Sequence, residues 1–186
     1  MDLKNYNILW DSQSRDCSES MPCGAHDIGM NIWVEKDQIF FYMDRSGNFD
    51  ENNQQLKSGR GRISIEPNPF KEFKNFRQEL KLEEGYVEIE LGDEDVLFKI
   101  WADVFQPRIN VEFSSKKKYE LEFGYENWRF EDREVPIDKR HACLSYRGYQ
   151  GKVFTYSDQV ELVDDSIVWY HQNQNDKLVR DKLIEQ

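Results

Sequence analysis

The chain has 186 residues, a formal net charge of −11 and an aromatic content of 14%. A chain of this length can bury a full hydrophobic core without disulfides or metal ions. The strong negative charge argues against nucleic acid and anionic membranes as partners, because both are bound by clustered Lys and Arg. No apolar run approaches the ~20 residues of a membrane-spanning helix. The sequence leaves open whether the protein is cytoplasmic or has lost a signal peptide.

The first predicted elements are strands joined by polar segments. Residues 6–10 predict an opening strand, and residues 11–27 predict a polar loop that ends in a bend. Residues 28–34 alternate between aliphatic and other side chains, which indicates a strand with two unlike faces. A turn at Lys36-Asp37 then leads to the apolar run 39–43, which is typical of a strand covered on both faces.

A long polar loop is predicted over residues 44–59. Its composition is rich in turn-forming residues, and Phe49 and Leu56 are its only large apolar side chains. Loops of this length in compact domains are usually functional or disordered. A strand is predicted next over residues 60–66, and it ends at Pro67 because proline cannot donate a backbone hydrogen bond.

The middle of the chain predicts a meander of antiparallel strands. These strands cover residues 76–82, 86–91, 96–101, 108–113 and 119–126. Each has an apolar face, such as Val111 with Phe113 or Leu121 with Phe123, and several have a face rich in Glu. We therefore expect one buried and one solvated face for these strands. Most of the acidic excess then lies on solvated faces of a sheet rather than at a metal site.

The C-terminal part predicts irregular structure over residues 126–150, followed by further strands. Those strands cover residues 153–156, 160–163 and 166–171, and the last ten residues have helical spacing. Together with the meander, this pattern favours an all-β fold, a large antiparallel β-sandwich with short helical segments at most. We expect a single domain over residues 1–186.

The cysteines and histidines give no sign of a metal or cofactor site. Cys17 and Cys23 are close enough in sequence to pair, and Cys143 has no nearby partner. The interpretation of three unlinked thiols is favoured over a disulfide. No Cys or His spacing matches a zinc motif, so neither a metal nor a cofactor is expected.

The polar loop carries the candidate binding residues. Asp44, Asp50 and Glu51 could supply two carboxylates that flank a glycosidic bond. Acidic residues are common in any polar loop, however, so binding is the better interpretation. Arg45, Asn48 and Asp50 can donate or accept hydrogen bonds in fixed geometry beside the hydroxyl groups of a sugar.

His26 and Asp27 are a weaker candidate for an acid–base pair. Adjacent residues on a strand point to opposite faces, so the two side chains are not expected to meet. A role for Asp27 in stabilising the bend is favoured instead.

Two tryptophans lie opposite the main apolar stripe of their strands. Trp33 and Trp101 therefore face a second packed layer, a partner domain, or solvent and ligand. The sequence leaves these three alternatives open.

Several short motifs, strongest over residues 6–70, carry a resemblance to a known family. They are Trp10-Asp11, Met21-Pro22 with Gly24, Asp27-Ile28-Gly29, Ser46-Gly47, Asp50-Glu51-Asn52, Leu56-Lys57, Gly59-Arg60, Pro67-Asn68-Pro69-Phe70 and Trp169-Tyr170-His171. With them, essentially the whole chain resembles a bacterial domain of unknown function found at the N-terminus of glycoside hydrolases. Those enzymes are related to family 95, which includes α-L-fucosidases. Gly61 departs from the β-branched residue expected there, which would weaken that strand.

The resemblance implies a super-sandwich that packs on a helical (α/α)6 barrel of the same polypeptide. The catalytic carboxylates would lie in that barrel, so this chain alone is expected to be non-catalytic. The parent protein would be a periplasmic or extracellular glycoside hydrolase that acts on a carbohydrate. We expect loop 44–52 to reach the sugar site, with Asp44, Arg45, Asn48 and Asp50 as substrate-binding residues.

Two other functions stay open at this point. A free-standing carbohydrate-binding module would present an exposed aromatic platform to its ligand. A sandwich hydrolase in its own right would need two facing carboxylates in a concave cleft.

Overall fold

The computed structural model describes residues 2–72, 75–92, 96–142 and 146–173. The chain forms two compact units. The first unit comprises residues 1–46 and 58–126, and the second comprises residues 47–57 and 127–186. Within the described ranges no helix is long and apolar enough to cross a membrane. The helix predicted over the last ten residues and the thiol of Cys143 lie outside the described residues.

Antiparallel strands make up most of the described chain, which confirms the all-β prediction. The strands are β1 (Ile8–Trp10), β2 (Met21–Ala25), β3 (Ile28–Glu35), β4 (Gln38–Phe49), β5 (Gln55–Glu66), β6 (Phe76–Lys81), β7 (Tyr86–Leu91), β8 (Val96–Ala102), β9 (Ile109–Ser115), β10 (Glu120–Glu126), β11 (Arg133–Glu134), β12 (Phe154–Thr155), β13 (Gln159–Val163) and β14 (Ser166–Tyr170). The helical segments are short. They are the α-helix α1 (Pro69–Glu72) and 3-10 helices at Leu3–Tyr6, Cys17–Glu19 and Ile137–Ala142.

The first unit is built on two sheets. One has the strand order β1-β6-β7-β8-β9, and the other has the order β10-β5-β4-β3-β2. The predicted meander is therefore confirmed from β6 to β9. β10 was expected to continue it, but instead pairs with β5, with Phe123 opposite Ile63. Periodicity along a strand determines which face is buried, not which neighbouring strand it pairs with.

The core of the first unit lies between the apolar faces of these two sheets. Ile89 and Phe98 from one sheet, and Ile32 and Phe41 from the other, are almost completely buried. The sheets are also joined by a hydrogen bond, because Gln78 Nε2 donates to the carbonyl of Ile32 at 3.2 Å. This bond pairs the amide N–H of the fully buried Gln78, whereas its Oε1 has no hydrogen-bond partner among the described residues.

The hairpin of β3 and β4 confirms the turn predicted at Lys36-Asp37. The φ angles of these residues are 48° and 63°. Two successive positive φ angles make the tight turn whose twist matches that of the flanking strands. Ile39 and Phe41 are then buried on the core side and Phe40 on the other side, as expected for a strand covered on both faces.

Two predicted loops contain strands, and the second of them is largely strand. Residues 21–25 within the predicted 11–27 loop form β2. The predicted 44–59 loop is reduced to residues 50–54, because β4 continues to Phe49 and β5 begins at Gln55. Ser, Gly and Asn give this segment the composition of a loop. Strand pairing, however, uses backbone groups that every residue except proline supplies.

The apolar faces of β9 and β10 are less buried than the sequence predicts. Val111 and Leu121 are each 42% exposed and Phe123 is 47% exposed. The rings of Phe113 and Phe123 still contact core residues, with Phe123 6.2 Å from Phe41 between ring centroids. Within the described chain these two strands end their sheets, so each has a sheet neighbour on one side only.

The second unit contains two strand pairs, β11 with β12 and β13 with β14. The last three predicted strands are thus confirmed with small shifts of their ends. The buried Arg140 holds this unit together around Val153 and Tyr146. Its guanidinium donates to the carbonyls of Val135 and Tyr149 at 3.0 Å each and also to that of Gly151.

Candidate functional site

The four predicted sugar-binding residues fall into two groups. Asp44 and Arg45 belong to the first unit, and Asn48 and Asp50 belong to the second. In the first unit Arg45 is exposed and Asp44 is half-buried on β4. The backbone N–H of Arg45 donates to Asp44 Oδ1 at 2.7 Å.

Arg45 is part of a surface cluster with the turn between β2 and β3. Its Nε donates to Asp27 Oδ2 at 2.7 Å, and His26 Nδ1 lies 2.9 Å from Asp27 Oδ1. Hydrogen bonds from Arg45 and His26 hold the pKa of the Asp27 carboxyl below its usual range. The expectation that His26 and Asp27 point apart is wrong. They lie in the turn rather than on a strand, and His26 has a φ of 54°.

In the second unit, Asn48 and Asp50 are occupied by their own hairpin. Asn48 Nδ2 donates across the hairpin to the carbonyl of Leu56 at 3.1 Å. Asp50 Oδ1 accepts from the backbone N–H of Asn52 at 3.0 Å and of Gln54 at 2.8 Å. Burial, reinforced by the charge of Glu51, raises the pKa of Asp50. Its carboxyl group therefore organises the tip of the hairpin.

A buried charged cluster lies next to Asp50 in the chain. His171 Nε2 is 2.9 Å from Glu51 Oε2, and His171 Nδ1 is 3.0 Å from Asp158 Oδ1. Arg129 Nη2 reaches the same Asp158 oxygen at 2.6 Å. The Glu51, Asp158 and His171 side chains are exposed by 2%, 5% and 6% respectively.

Both ring nitrogens of His171 are engaged by buried carboxyl groups of the second unit. Arg129 pairs with one of these carboxyl groups, that of Asp158. Neither ring nitrogen is open to a substrate, so the cluster stabilises the fold rather than acting as a general base.

Further contacts join the hairpin tip to the rest of the second unit. Asn52 Nδ2 donates to the carbonyl of Phe154 at 2.7 Å, and Tyr146 Oη donates to Gln54 Oε1 at 2.9 Å. Three buried oxygens in the tip have no hydrogen-bond partner within the described ranges. They are Asp50 Oδ2, Glu51 Oε1 and Asn52 Oδ1.

Sequence reasoning missed this cluster, since its members stand at positions 51, 129, 158 and 171 and form no motif. The available signals were the Asp50-Glu51-Asn52 and Trp169-Tyr170-His171 matches. Among the residues that the structure describes, no group of three His, Cys, Asp or Glu could hold a metal ion.

The alternatives left open for Trp33 and for the thiols are now decided in part. Trp33 is completely buried and packs on Phe40, at 5.4 Å between ring centroids, and on Tyr42 at 4.7 Å. It belongs to a packed layer and presents no surface for a ligand. Cys17 and Cys23 are free thiols, as favoured.

Comparison with known proteins identifies one family. Its model, described as a domain of unknown function (DUF5703), matches residues 9–186. No curated protein matches the chain. The match begins within β1 and continues through both compact units. Because the model covers nearly the whole sequence, the chain belongs to the DUF5703 family of domains of unknown function.

Proposed function

We propose that the chain is a non-catalytic β-sandwich domain of a glycoside hydrolase, which packs on a helical catalytic barrel of the same polypeptide. The observation that carries this proposal is the exposed apolar edge of the first unit, defined by Val111 on β9 and by Leu121 and Phe123 on β10. These side chains lie on the core side of their strands, yet they are 42–47% exposed.

Exposed apolar groups of this kind indicate a surface that another protein part covers. Contiguous apolar patches on a monomer mark interaction sites more often than chance. The loop after β8 adds Val104 and Phe105 to the exposed apolar residues of this unit, with Phe105 86% exposed. In the described chain β9 and β10 end their sheets, and an end strand presents unpaired backbone groups to a neighbour.

The state of the hairpin carboxylates supports a non-catalytic role. A glycosidase needs two carboxyl groups that reach the same sugar from opposite sides. Glu51 is buried against His171, and Asp50 accepts hydrogen bonds from its own turn. Both carboxyl groups are buried inside the second unit, so neither is placed to attack or protonate a substrate.

Of the four candidate residues, Asp44 and Arg45 are the two that we propose contact the sugar. Arg45 exposes more than half of its side chain while it pairs with Asp27. Such a group can donate to a sugar hydroxyl without losing its position. Asn48 and Asp50 would act indirectly, because they hold the shape of the hairpin.

The docking proposal is tested in the full-length protein that carries this domain. Leu121→Glu with Phe123→Glu places two charges on the proposed contact and is expected to detach the domain, seen as faster limited proteolysis and lower glycosidase activity. Glu120→Lys with Glu122→Lys, on the opposite face of β10, is the matched control and should leave both readouts unchanged. Equal effects of the two pairs would contradict docking.

Two further measurements test the catalytic and sugar-contacting parts. The purified chain should release no nitrophenol from a panel of nitrophenyl glycosides, and turnover by the chain alone would overturn the proposal. In the full-length protein, Asp44→Ala with Arg45→Ala should raise KM. If activity and sugar binding are unchanged, these two residues do not reach the sugar site.

A further inference from the structure

The first unit has a small cavity beside the end of β1. It has a volume of about 250 Å³, and its lining includes Leu9, Trp10, Asp11, Ser12, Ser14 and Glu19. Pockets for drug-sized ligands have volumes of about 300–1,000 Å³. This cavity therefore suits one small molecule of the size of a single sugar ring.

The tryptophan wall of this cavity is fixed in place. Trp10 Nε1 donates to the carbonyl of Glu19 at 2.9 Å, which sets the orientation of the indole. The Glu19 carboxylate is in turn held by Arg15, whose backbone N–H donates at 2.7 Å and whose Nη2 lies at 2.6 Å. The indole remains 36% exposed, so part of its surface is open to a ligand.

The opposite part of the loop is anchored to the β3–β4 hairpin. Gln13 Nε2 donates to Asp37 Oδ1 at 2.8 Å, and the Asp37 backbone N–H donates to Gln13 Oε1 at 2.9 Å. The backbone N–H of Ser14 donates to the carbonyl of Val34 at 2.8 Å. A wall held at several points loses little freedom when a ligand binds, which favours affinity.

One lining group is left to hydrogen-bond a ligand. The carboxylate of Asp11 is exposed and has no hydrogen bond or ion pair to any described residue. An ionised carboxylate accepts hydrogen bonds, so Asp11 can receive them from the hydroxyl groups of a bound molecule. The hydroxyl of Ser14 also lacks a partner in the described ranges, but it has almost no accessible surface and does not meet the cavity.

We propose that this cavity binds a single neutral pyranose, with the C–H face of the sugar on the indole of Trp10 and its hydroxyls on the carboxylate of Asp11. The aromatic surface suits the apolar face of the ring, and the carboxylate accepts hydrogen bonds from hydroxyls. An anion is disfavoured by the charge of Asp11. The charge of Glu19 is balanced by Arg15, so Asp11 carries the one unpaired charge among the lining residues, and a cation is the alternative ligand that the choline probe tests.

This inference goes beyond the proposed function, because a domain that packs on a barrel needs no ligand at Trp10. It also gives the carbohydrate-binding module a specific site to be tested at. The two proposals fail separately: loss of docking leaves the cavity intact, and absence of sugar binding leaves the apolar edge intact.

The test is saturation-transfer NMR on the 186-residue chain with the methyl glycosides of D-glucose, D-galactose, L-fucose and D-xylose. At least one glycoside should bind with a Kd of about 1–10 mM. Trp10→Ala should weaken that binding by about tenfold or more. Trp128→Ala is the matched control, since Trp128 lies in the second unit and is 37% exposed; it should bind like the unmodified chain.

A second variant separates a loss of sugar binding from a loss of folding. Asp11→Asn replaces one exposed carboxylate oxygen with an amide nitrogen and removes the charge. It should keep the far-ultraviolet circular dichroism of the chain while it weakens binding by about fivefold. Choline serves as a cationic probe of the same cavity. The proposal is overturned if no glycoside binds, if Trp10→Ala and Trp128→Ala bind equally well, or if choline binds and the glycosides do not.

Discussion

His171 Nε2 lies 2.9 Å from Glu51 Oε2 although the two residues are 120 positions apart. The other ring nitrogen of His171 faces Asp158. Together these contacts tie the tip of the β4–β5 hairpin to the C-terminal part of the second unit. Because the contact is buried, removal of one partner leaves the other polar group without a partner and out of reach of water.

His171→Ala is therefore expected to destabilise the chain strongly. Removing one partner of a buried ion pair costs about 3–5 kcal/mol, since the remaining carboxylates of Glu51 and Asp158 stay buried. Urea unfolding followed by circular dichroism measures the change. His141→Ala is the control, because His141 is exposed, and a change of about 0.5 kcal/mol or less is expected there. Similar losses for both variants would show that the cluster does not stabilise the fold.

Asp50→Asn is expected to stabilise the chain at neutral pH by on the order of 1 kcal/mol. Burial raises the pKa of Asp50 in the folded state, so its ionised form is disfavoured there. The stability contributed by the protonated form is complete below the unfolded pKa, near 3.8, and is lost as pH rises through the folded pKa. Asparagine keeps the oxygen that accepts from Asn52 and Gln54 and does not ionise.

Urea titrations at several pH values measure this effect. The advantage of Asp50→Asn should disappear below a pH of about 3.8. Asp132→Asn is a control of opposite sign, because hydrogen bonds from the backbone and hydroxyl of Ser157 lower the pKa of Asp132. That variant should be less stable than the unmodified chain at neutral pH. An advantage of Asp50→Asn that persists at low pH would rule out the ionisation argument.

Glu79 should make the first unit sensitive to acid. Burial alone would raise its pKa, but hydrogen bonds from Lys81 and Asn7, with the charges of Lys81 and Arg77, outweigh burial and lower it. The contacts are 2.7 Å to Lys81 Nζ, 2.9 Å to Asn7 Nδ2 and 2.6 Å to Arg77 Nη2. With a lowered folded pKa, the stability from Glu79 is present above the unfolded pKa and is lost as pH falls through the folded value.

Glu79→Gln is expected to cost about 1–3 kcal/mol at neutral pH, because Lys81 and Arg77 lose a buried charged partner. The difference in free energy of unfolding between the variant and the unmodified chain should become smaller below a pH of about 4.5. Glu90→Gln, on the half-buried face of β7, provides a comparison that should change stability little. A constant gap across the acid range would mean that Glu79 acts through packing rather than charge.

Gly61 has a packing role that its sequence position does not suggest. A Cβ added there would meet the ring of the buried Phe41, with Phe41 Cε2 at 2.6 Å. Gly61→Ala should therefore destabilise by about 1–3 kcal/mol, measured by thermal and urea unfolding. Gly29→Ala is the matched control on β3: nothing lies within 4 Å of its Cβ position, so it should be neutral or slightly stabilising. Rescue of Gly61→Ala by Phe41→Leu would confirm the contact, and equal behaviour of both alanine variants would refute it.

The resemblance led us to expect that Gly61 weakens its strand, and the structure gives a different reason for the residue. Its missing side chain makes room for Phe41 from the neighbouring strand β4. A strand pattern reports the preferences of one strand, whereas the space above a position is set by the strand beside it. This information is not contained in the local sequence.

The candidate site was also hard to predict, because local sequence does not show which distant segments come into contact. Asp50 was singled out as a substrate-binding residue because a polar loop suggested an exposed surface. The turn instead closes over its carboxyl group. Glu51 was named among the possible catalytic carboxylates, but its partner His171 could not be found by spacing, since ion pairs between distant segments depend on topology.

By itself, the sequence determined the strand content, the tight turn at Lys36-Asp37 and the succession β6 to β9. Alternation with a period of two and turn-forming residues are local properties, and the backbone follows them directly. Only the tertiary structure decided that β10 pairs with β5 and that Glu51 contacts His171. It also decided that Val111 and Phe123, on the apolar faces of β9 and β10, stay half-exposed. These features depend on which strands become neighbours, a choice set by packing of the whole chain rather than by any single segment.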